Sequence, residues 1–226
     1  MTKSIATNRA RRWVERLLLV AGLSALGVWA GQYVVSRVWQ AWANRQFDAE
    51  MHEREIPVES AHVAATPAAQ GRQVSQVTSP VHRSTLDDST IGRLTIPRLH
   101  LSAMVREGVG EETLSLALGH VPSTALPGQE GNVAVAGHRD TLFRDLRFIK
   151  KYDLIRFETL SSGSHLYEVR AIEIVDPANV SVLRAGRDPE LTLVTCYPFD
   201  YVGAAPRRFI VKAREVDRAP VGMEGQ

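Results

Sequence analysis

The sequence predicts a mainly β protein: a small closed barrel with short helices, preceded by a single N-terminal transmembrane helix. Two observations predict this architecture. Between about residue 90 and residue 216, short apolar or alternating segments follow one another closely and are separated by Gly- and Pro-rich turns, a pattern typical of small barrels. Near the N-terminus, the 20 residues 17–36 carry no charge. The 226 residues, 44% of them hydrophobic and 23% charged, leave room for one domain and additional segments.

The uncharged run at residues 17–36 is long enough to cross a bilayer as an α-helix. The basic residues that precede it outnumber the single acidic residue Glu15, so we expect residues 1–16 to stay in the cytoplasm and the bulk of the chain to lie outside. These basic residues are Lys3, Arg9, Arg11, Arg12 and Arg16. All four tryptophans lie in or beside the run, as interfacial anchors do. We therefore predict a single-pass protein of the cell membrane, with residues 17–36 as its anchor.

Two other interpretations of this run remain open. A cleaved signal peptide has a shorter apolar region, and no convincing small-x-small cleavage site follows the run directly. A buried core helix is disfavoured by the flanking arginines and by the position of the tryptophans. The uncleaved anchor is the interpretation that the sequence favours.

Residues 37–89 are predicted to form a flexible extracytoplasmic stalk. From about Asp48 to Asp88 the sequence has three prolines, many small or polar residues and no aromatic residue. Such a segment cannot bury enough apolar surface to make a core of its own. Its three histidines are widely spaced, so we interpret them as solvated rather than as metal ligands.

The patterned region begins near Ile91, and residues 90–216 are predicted to form the barrel. Residues 92–97 alternate and end at Pro97, which indicates a strand. Residues 111–119 predict a short helix with acidic residues in its first turn and a glycine at its end. Residues 142–150 indicate one or two helical turns. Further strands are predicted at residues 101–105, 132–136, 153–159, 165–175, 191–195 and 207–214, and residues 217–226 are predicted to be a mobile tail.

Charge and cysteine content exclude several classes of function. The formal net charge is +2, and no basic helix or stripe interleaved with aromatic residues is present, so a nucleic-acid partner is not indicated. With a single cysteine, the chain forms no intrachain disulfide and no cysteine-based zinc module.

The single cysteine, Cys196, ends an apolar strand, and the following Tyr197-Pro198-Phe199 breaks that strand. A side chain at such a point can be presented at the mouth of a barrel, where a thiolate acts as a nucleophile. Most free cysteines are buried and inert, so the residues around Cys196 decide whether it is interpreted as a nucleophile. His138 lies 58 residues upstream, after a strand and a glycine, where it can project into a cleft. His120, in a Gly-His-Val-Pro segment, is the second choice for the base.

Arginine would complete a thiol acyl-transfer site by stabilising the oxyanion. Arg207 and Arg208 open the final strand and point to opposite faces, so only one of them can face the cysteine. As isolated residues, both would be interpreted as solvated basic side chains at a strand end.

In their motifs and order these residues resemble the sortase family. Residues 192–196 read TLVTC, which is similar to the TLxTC signature; Gly137-His138 resembles the catalytic-histidine segment; and Arg208 matches the arginine that opens the family's last strand. The LPG, GN and GHRDT segments between residues 126 and 141, together with Cys196-Tyr197-Pro198-Phe199, are most similar to class D sortases. The resemblance covers about residues 90–214.

This resemblance implies an eight-stranded barrel and a cysteine transpeptidase that acts on surface proteins with a C-terminal LPxTG-like sorting signal. Cys196 would attack the Thr carbonyl and form a thioester, and His138 would protonate the departing amine and deprotonate an incoming amine acceptor of the cell envelope. Arg208, preferred over Arg207, would hold the substrate and the oxyanion, and Thr195 would add a hydrogen bond.

No cofactor is implied, and we also expect no metal. Some members of the family use calcium, but the acidic residues here are scattered and form no loop of recognisable metal spacing; they are Glu111, Glu112, Asp140, Asp153 and Glu158.

Two other functions compete with this interpretation. Another Cys-His acyl transferase acting on peptidoglycan, such as an L,D-transpeptidase, would place its histidine and cysteine much closer together, and a papain-like protease would reverse their order. A non-enzymatic extracytoplasmic binding or structural module with an inert cysteine makes no use of the His-Cys-Arg order.

Overall fold

The structure, a computed structural model, describes residues 3–55, 89–186 and 188–216. Within the N-terminal helix it describes no side chains for residues 3–12, 14, 28–30, 32, 33, 54 and 55. The predicted mobile tail and residues 56–88 of the predicted stalk therefore lie outside the described residues.

A long helix is followed by eight strands and a second, short helix. The helices are α1 (Lys3–Glu55) and α2 (Glu111–Leu116). The strands are β1 (Thr90–Ile96), β2 (Leu101–Glu107), β3 (Leu118–His120), β4 (Asn132–Ala136), β5 (Leu154–Thr159), β6 (Gly163–Val175), β7 (Glu190–Tyr197) and β8 (Arg207–Glu215). Three short 3₁₀ helices lie at Pro97–Leu99, Arg144–Phe148 and Val180–Leu183.

The eight strands close into one barrel in the order β1-β2-β3-β4-β7-β8-β6-β5. Most neighbours are antiparallel, whereas β2 with β3 and β4 with β7 run parallel. Alternate side chains point inward and form a single apolar core, whose largest members include Tyr167, Phe157, Phe143, Leu193 and Leu118, all fully buried. Burial raises the pKa of the Tyr167 hydroxyl far above its ordinary value. The mainly β, closed, eight-stranded barrel with few helices is therefore confirmed.

The strands that alternation predicts are present, with bounds shifted by a few residues at most. The exception is β3, which falls where the predicted helix was expected to end. The helix stops at Leu116, and Leu118–His120 pairs with β2 on one side and with β4 on the other. Three residues are too few to show a period of two, so this strand carries no sequence signal of its own.

The prediction that a flexible stalk starts at residue 37 is corrected, because α1 continues to Glu55 and packs on the barrel. Ala43 and Phe47 are fully buried against Met104 of β2. Gln40 donates from Nε2 to Leu116 O (2.9 Å) and accepts at Oε1 from Met104 N (2.9 Å). Asp48 pairs with Arg93 of β1 at 2.6 Å. Residues 39, 43 and 47 recur every four positions, which brings them to one face of the helix.

An N-terminal helix through residues 17–36 is present, and at 53 residues α1 is about 80 Å long. Of the helices in the described part of the chain, none combines the length and the apolar character that a membrane crossing requires.

Phe47→Ala is expected to release the docked end of α1 while leaving the barrel folded. Phe47 is fully buried, and emptying such a site costs roughly 3 kcal/mol. Backbone amides of residues 39–51 should then exchange with solvent about 100-fold faster, because every 1.4 kcal/mol corresponds to a factor of ten. Hydrogen exchange read by mass spectrometry checks this. Val38→Ala, at an exposed position of the same helix, is the matched control, and equal exchange in both variants would contradict the docking.

Candidate active site

Parallel pairing of β4 with β7 brings His138 and Cys196 to the same level. The register aligns Ala136 with Val194. Two hydrogen bonds continue it beyond the strand: Gly137 N donates to Val194 O (3.1 Å), and the Thr195 hydroxyl donates to Gly137 O (2.7 Å). His138 follows Gly137 and Cys196 follows Thr195, so the continued register puts these two residues level with each other beside the ends of the paired strands.

The cysteine faces outward. Along β7, Leu191 and Leu193 point into the core and are fully buried, so Thr192, Val194 and Cys196 lie on the outer face. Cys196 is a half-buried free thiol. The same alternation along β4 puts Val133 and Val135 in the core. Cys196 is therefore accessible from outside the barrel, at the end of its strand.

Arg208 lies directly across from the cysteine. In the antiparallel pair of β7 and β8, Cys196 is the partner of Arg208, and Tyr197 is the partner of Arg207. Directly opposed residues share a face of the sheet, so Arg208 shares the outer face with Cys196, whereas Arg207 points away and is exposed. Arg208 is half-buried, and its Nη1 donates to Ala205 O (3.3 Å) and Arg207 O (3.1 Å). Its remaining guanidinium donors can serve an anionic group near the thiol.

Gly137 allows the chain to reach His138. A Cβ at this position would lie 2.7 Å from a side-chain carbon of Leu118 and 2.7 Å from one of Phe143. Both neighbours are fully buried, so no room exists for a larger residue. Gly137, which was expected to let His138 project into a cleft, is thus required because the neighbouring core side chains leave no space for a Cβ.

His120, the second choice for the base, is committed elsewhere. It is buried on β3, with Nδ1 2.7 Å from Glu107 Oε2 and Nε2 3.0 Å from both Thr124 Oγ1 and Ala125 O. Both ring nitrogens therefore have partners within the fold, which suits a structural histidine. His165 is similarly engaged, by Glu215 at Nδ1 (2.7 Å) and Ser162 at Nε2 (2.9 Å).

The loop between β6 and β7 borders the outer face that carries the cysteine. The segment between β6 and β7 is held through Val182 O, which accepts from Lys212 Nζ and from Asn132 Nδ2 (3.3 Å). The Thr192 hydroxyl donates to Asn132 Oδ1 (2.8 Å) and fixes that amide. These roles of Lys212 and Asn132 could not be predicted, because nothing in a sequence indicates which distant backbone carbonyl a side chain will meet.

The described residues contain no group of three or more His, Cys, Asp or Glu side chains that could hold a metal ion. That no metal is needed stays a prediction. The chemistry available at the site is that of a thiol, an imidazole and a guanidinium, the combination suited to acyl transfer through a thioester.

Comparison with known proteins identifies the family of the barrel. Residues 94–216 match the family model of the sortase domain. Over 126 residues, the chain is 36% identical to Sortase D of Bacillus subtilis (strain 168), a match that covers 55% of this chain and 63% of that protein. The chain thus spans somewhat less than two thirds of this relative.

Solved structures give the same result for the barrel. A Sortase D5 transpeptidase of Clostridium perfringens is 28% identical, with a TM-score of 0.52 over 57% of this chain and 79% of that one. A lid mutant of Sortase A from Corynebacterium diphtheriae is 31% identical, with a TM-score of 0.54 over 57% of this chain and 72% of that one.

Proposed function

The chain belongs to the sortase family, and on that premise we propose that it is a membrane-anchored cysteine transpeptidase. Its substrates are surface proteins with a C-terminal LPxTG-like sorting signal, which it cleaves through a thioester on Cys196 and transfers to an amine of the cell envelope. The observation that supports the proposal is the strand register: Arg208 is the partner of Cys196, and the pairing of Ala136 with Val194, continued for two residues, puts His138 level with Cys196 on its other side.

In the first half-reaction, the Cys196 thiol gives its proton to His138, and the thiolate sulfur attacks the carbonyl carbon of the Thr residue in the sorting signal. The carbonyl π electrons move to oxygen, and the guanidinium of Arg208 stabilises the resulting oxyanion. When the oxyanion collapses, the Thr–Gly C–N bond breaks. His138 gives its proton to the departing amine, and the Thr carbonyl remains on sulfur as a thioester.

The second half-reaction runs the same steps in reverse with a different amine. The acceptor amine attacks the thioester carbonyl, His138 takes the proton that the amine loses, and the sulfur leaves as a thiolate. Water in place of the amine gives hydrolysis. Thr195 contributes by holding Gly137 O with its hydroxyl (2.7 Å) rather than by touching the reacting atoms.

The membrane anchor rests on the sequence of α1. Residues 17–36 carry no charge and follow a basic segment, and the leucine and valine side chains from Leu17 to Leu26 are more than 60% exposed. Exposed apolar side chains on all faces of a helix favour an apolar surrounding, which a bilayer provides. Because the later part of the same helix packs against β2, the barrel would be held close to the membrane surface rather than on a long flexible tether.

Intact-mass spectrometry tests the proposal. The full chain, in detergent, is incubated with a panel of LPxTG-like peptides, with and without an added amine. We expect a mass increase on Cys196 equal to the N-terminal part of the peptide, lost when the amine is added and absent in Cys196→Ala. No more than one peptide should be added per protein molecule, because the chain has only one cysteine.

Alkylation by iodoacetamide separates the competing functions. A reactive Cys196 that gives no adduct with any sorting peptide, but does with a peptidoglycan stem peptide, would assign the other class of acyl transferase. A cysteine that is slow to alkylate in the folded protein and forms no adduct would favour a non-enzymatic module.

A further inference from the structure

The loop at residues 198–206 connects the strand that carries Cys196 to the strand that begins at Arg207. Its outermost residues are strongly exposed: Tyr201 at 48% and Val202 at 94%. A loop with such a tip has little packing of its own to keep it in place. Its base is held by aromatic contacts, with Phe199 packed edge-on against Phe209 at 5.2 Å between ring centroids.

Arg139, the residue after His138, reaches across to this loop. Its Nη2 donates to Tyr201 O (2.7 Å) and to Gly203 O (2.9 Å), and its guanidinium lies 5.9 Å from the Tyr201 ring centroid. One side chain thus fixes two carbonyls at the tip of the loop. Charged donors to backbone carbonyls make strong hydrogen bonds.

Arg147 makes a second contact, closer to the base of the loop. Its Nη1 pairs with Asp200 Oδ1 (2.9 Å), and its guanidinium lies 5.4 Å from the Phe199 ring centroid. The Asp200 side chain is 86% exposed, and ion pairs of that kind are weak because water screens them. Arg139, with two hydrogen bonds to the loop backbone, is therefore taken as the main attachment and Arg147 as the second.

The segment that carries both arginines is itself fixed to the barrel. Arg98 donates from Nη2 to Phe148 O (2.6 Å) and forms a bidentate pair with Asp153 at 2.5 Å. Asp153 also accepts from Lys150 N (2.7 Å). The hydrogen bonds from Arg98 hold the pKa of Asp153 below its ordinary value. Arg139 and Arg147 thus attach the loop to a rigid support that begins at His138.

We propose that Arg139, assisted by Arg147, is a positioning residue that holds the β7–β8 loop, residues 198–206, in the conformation that binds the sorting peptide. The inference rests on the proposed function. The loop joins the two strands that carry Cys196 and Arg208, and its anchor follows the proposed general base, so one side chain links all three reacting groups. Without the Arg139 side chain, the loop samples other conformations, and the peptide binds only to the fraction of molecules whose loop is in the binding conformation.

The expected consequence is a raised KM. Apparent affinity falls in proportion to the fraction of competent protein, so a loop that is competent about 10% of the time raises KM about tenfold. Once peptide is bound the loop is in place again, so kcat should change less than about threefold. A residue that only stabilised the fold would lower the active fraction, and hence kcat, with KM unchanged.

Arg139→Met, Arg139→Lys and the matched control Arg144→Met test this in the full chain. Arg144 lies in the same segment and is exposed, so its replacement removes the same charge without touching the loop. The described hydrogen-bond acceptors of Arg139 are neutral carbonyl oxygens, so Arg139→Met leaves no unpaired charge and the fold should persist. We expect faster amide exchange at residues 199–204 and a KM about tenfold higher in Arg139→Met, partial rescue in Arg139→Lys, and neither change in Arg144→Met.

Each arm can overturn the proposal. Exchange at residues 199–204 that is the same in Arg139→Met and Arg144→Met would show that Arg139 does not hold the loop, whatever the kinetics. Faster exchange with KM unchanged would show that the held loop does not serve peptide binding. If the wild-type chain forms no thioester with any peptide, the proposed function fails, and the exchange arm alone still decides whether Arg139 holds the loop.

Discussion

Replacing Cys196 by Ala is expected to lower the rate of peptide cleavage by at least about 10⁴-fold, because the nucleophile that forms the covalent intermediate is removed. No other thiol can substitute, since Cys196 is the only cysteine in the chain. The side chain is half-buried at the end of a strand, so its loss leaves no large cavity and the fold should be preserved. Peptide cleavage followed by chromatography measures the rate, and an unchanged thermal transition shows that the fold is intact.

His138→Ala is expected to cost nearly as much, and the double variant no more than either single one. The losses caused by removing two groups that act in the same step are non-additive, because the loss of either group already disables that step. The parallel register, continued by the hydrogen bond from the Thr195 hydroxyl to Gly137 O, also puts His138 and Cys196 at the same level of adjacent segments. Losses that multiply in the double variant would mean that Cys196 and His138 act separately, and this would contradict the proposed mechanism.

The β-strands could be predicted because alternation of apolar residues is a local property. The segment that ends at Cys196 and the segment before His138 were both identified as strands, and the structure contains both, as β7 and β4. That these strands are adjacent and parallel could not be predicted, because pairing depends on contacts between segments 58 residues apart. The register follows from the fold and cannot be read from either segment alone.

The docking of α1 was missed for a different reason. Trp39, Ala43 and Phe47 share one helical face, but other apolar residues such as Val38 and Trp42 lie off that face, so the short periodicity does not stand out in the sequence. Their partner Met104 lies 64 positions after Gln40, in another predicted element. Composition indicated a stalk, whereas three contacts at the correct spacing are enough to hold a helix on a sheet.

The residues that fix the loops were missed because their partners are backbone carbonyls. Arg139 donates to Tyr201 O and Gly203 O, and Lys212 donates to Val182 O. A carbonyl has the same chemistry at every position, so the sequence carries no signal for such a contact. Arg139 was visible only as a polar residue beside the candidate histidine, and only the structure shows that it joins two sides of the site.

Arg208→Met is expected to lower kcat/KM for peptide cleavage by about 10²- to 10³-fold, the usual cost of removing one oxyanion donor. Arg207→Met is expected to stay within about threefold of the wild type. The two residues are adjacent, carry the same charge and open the same strand. They differ in partner: Arg208 is opposite Cys196 and half-buried, whereas Arg207 is opposite Tyr197 and exposed.

This pair of variants separates position from charge. A general attraction between a basic strand end and the substrate would make the two losses similar, and added salt would reduce both. Stabilisation of an oxyanion beside the thiol would make the loss large only in Arg208→Met, insensitive to salt, and expressed mainly in kcat. Arg208→Lys should recover only part of the rate, because an ammonium group cannot reproduce the planar, bidentate donor geometry. A large loss in Arg207→Met with a small one in Arg208→Met would mean that β8 is shifted by one residue relative to β7, and that Arg207 is the residue facing the cysteine.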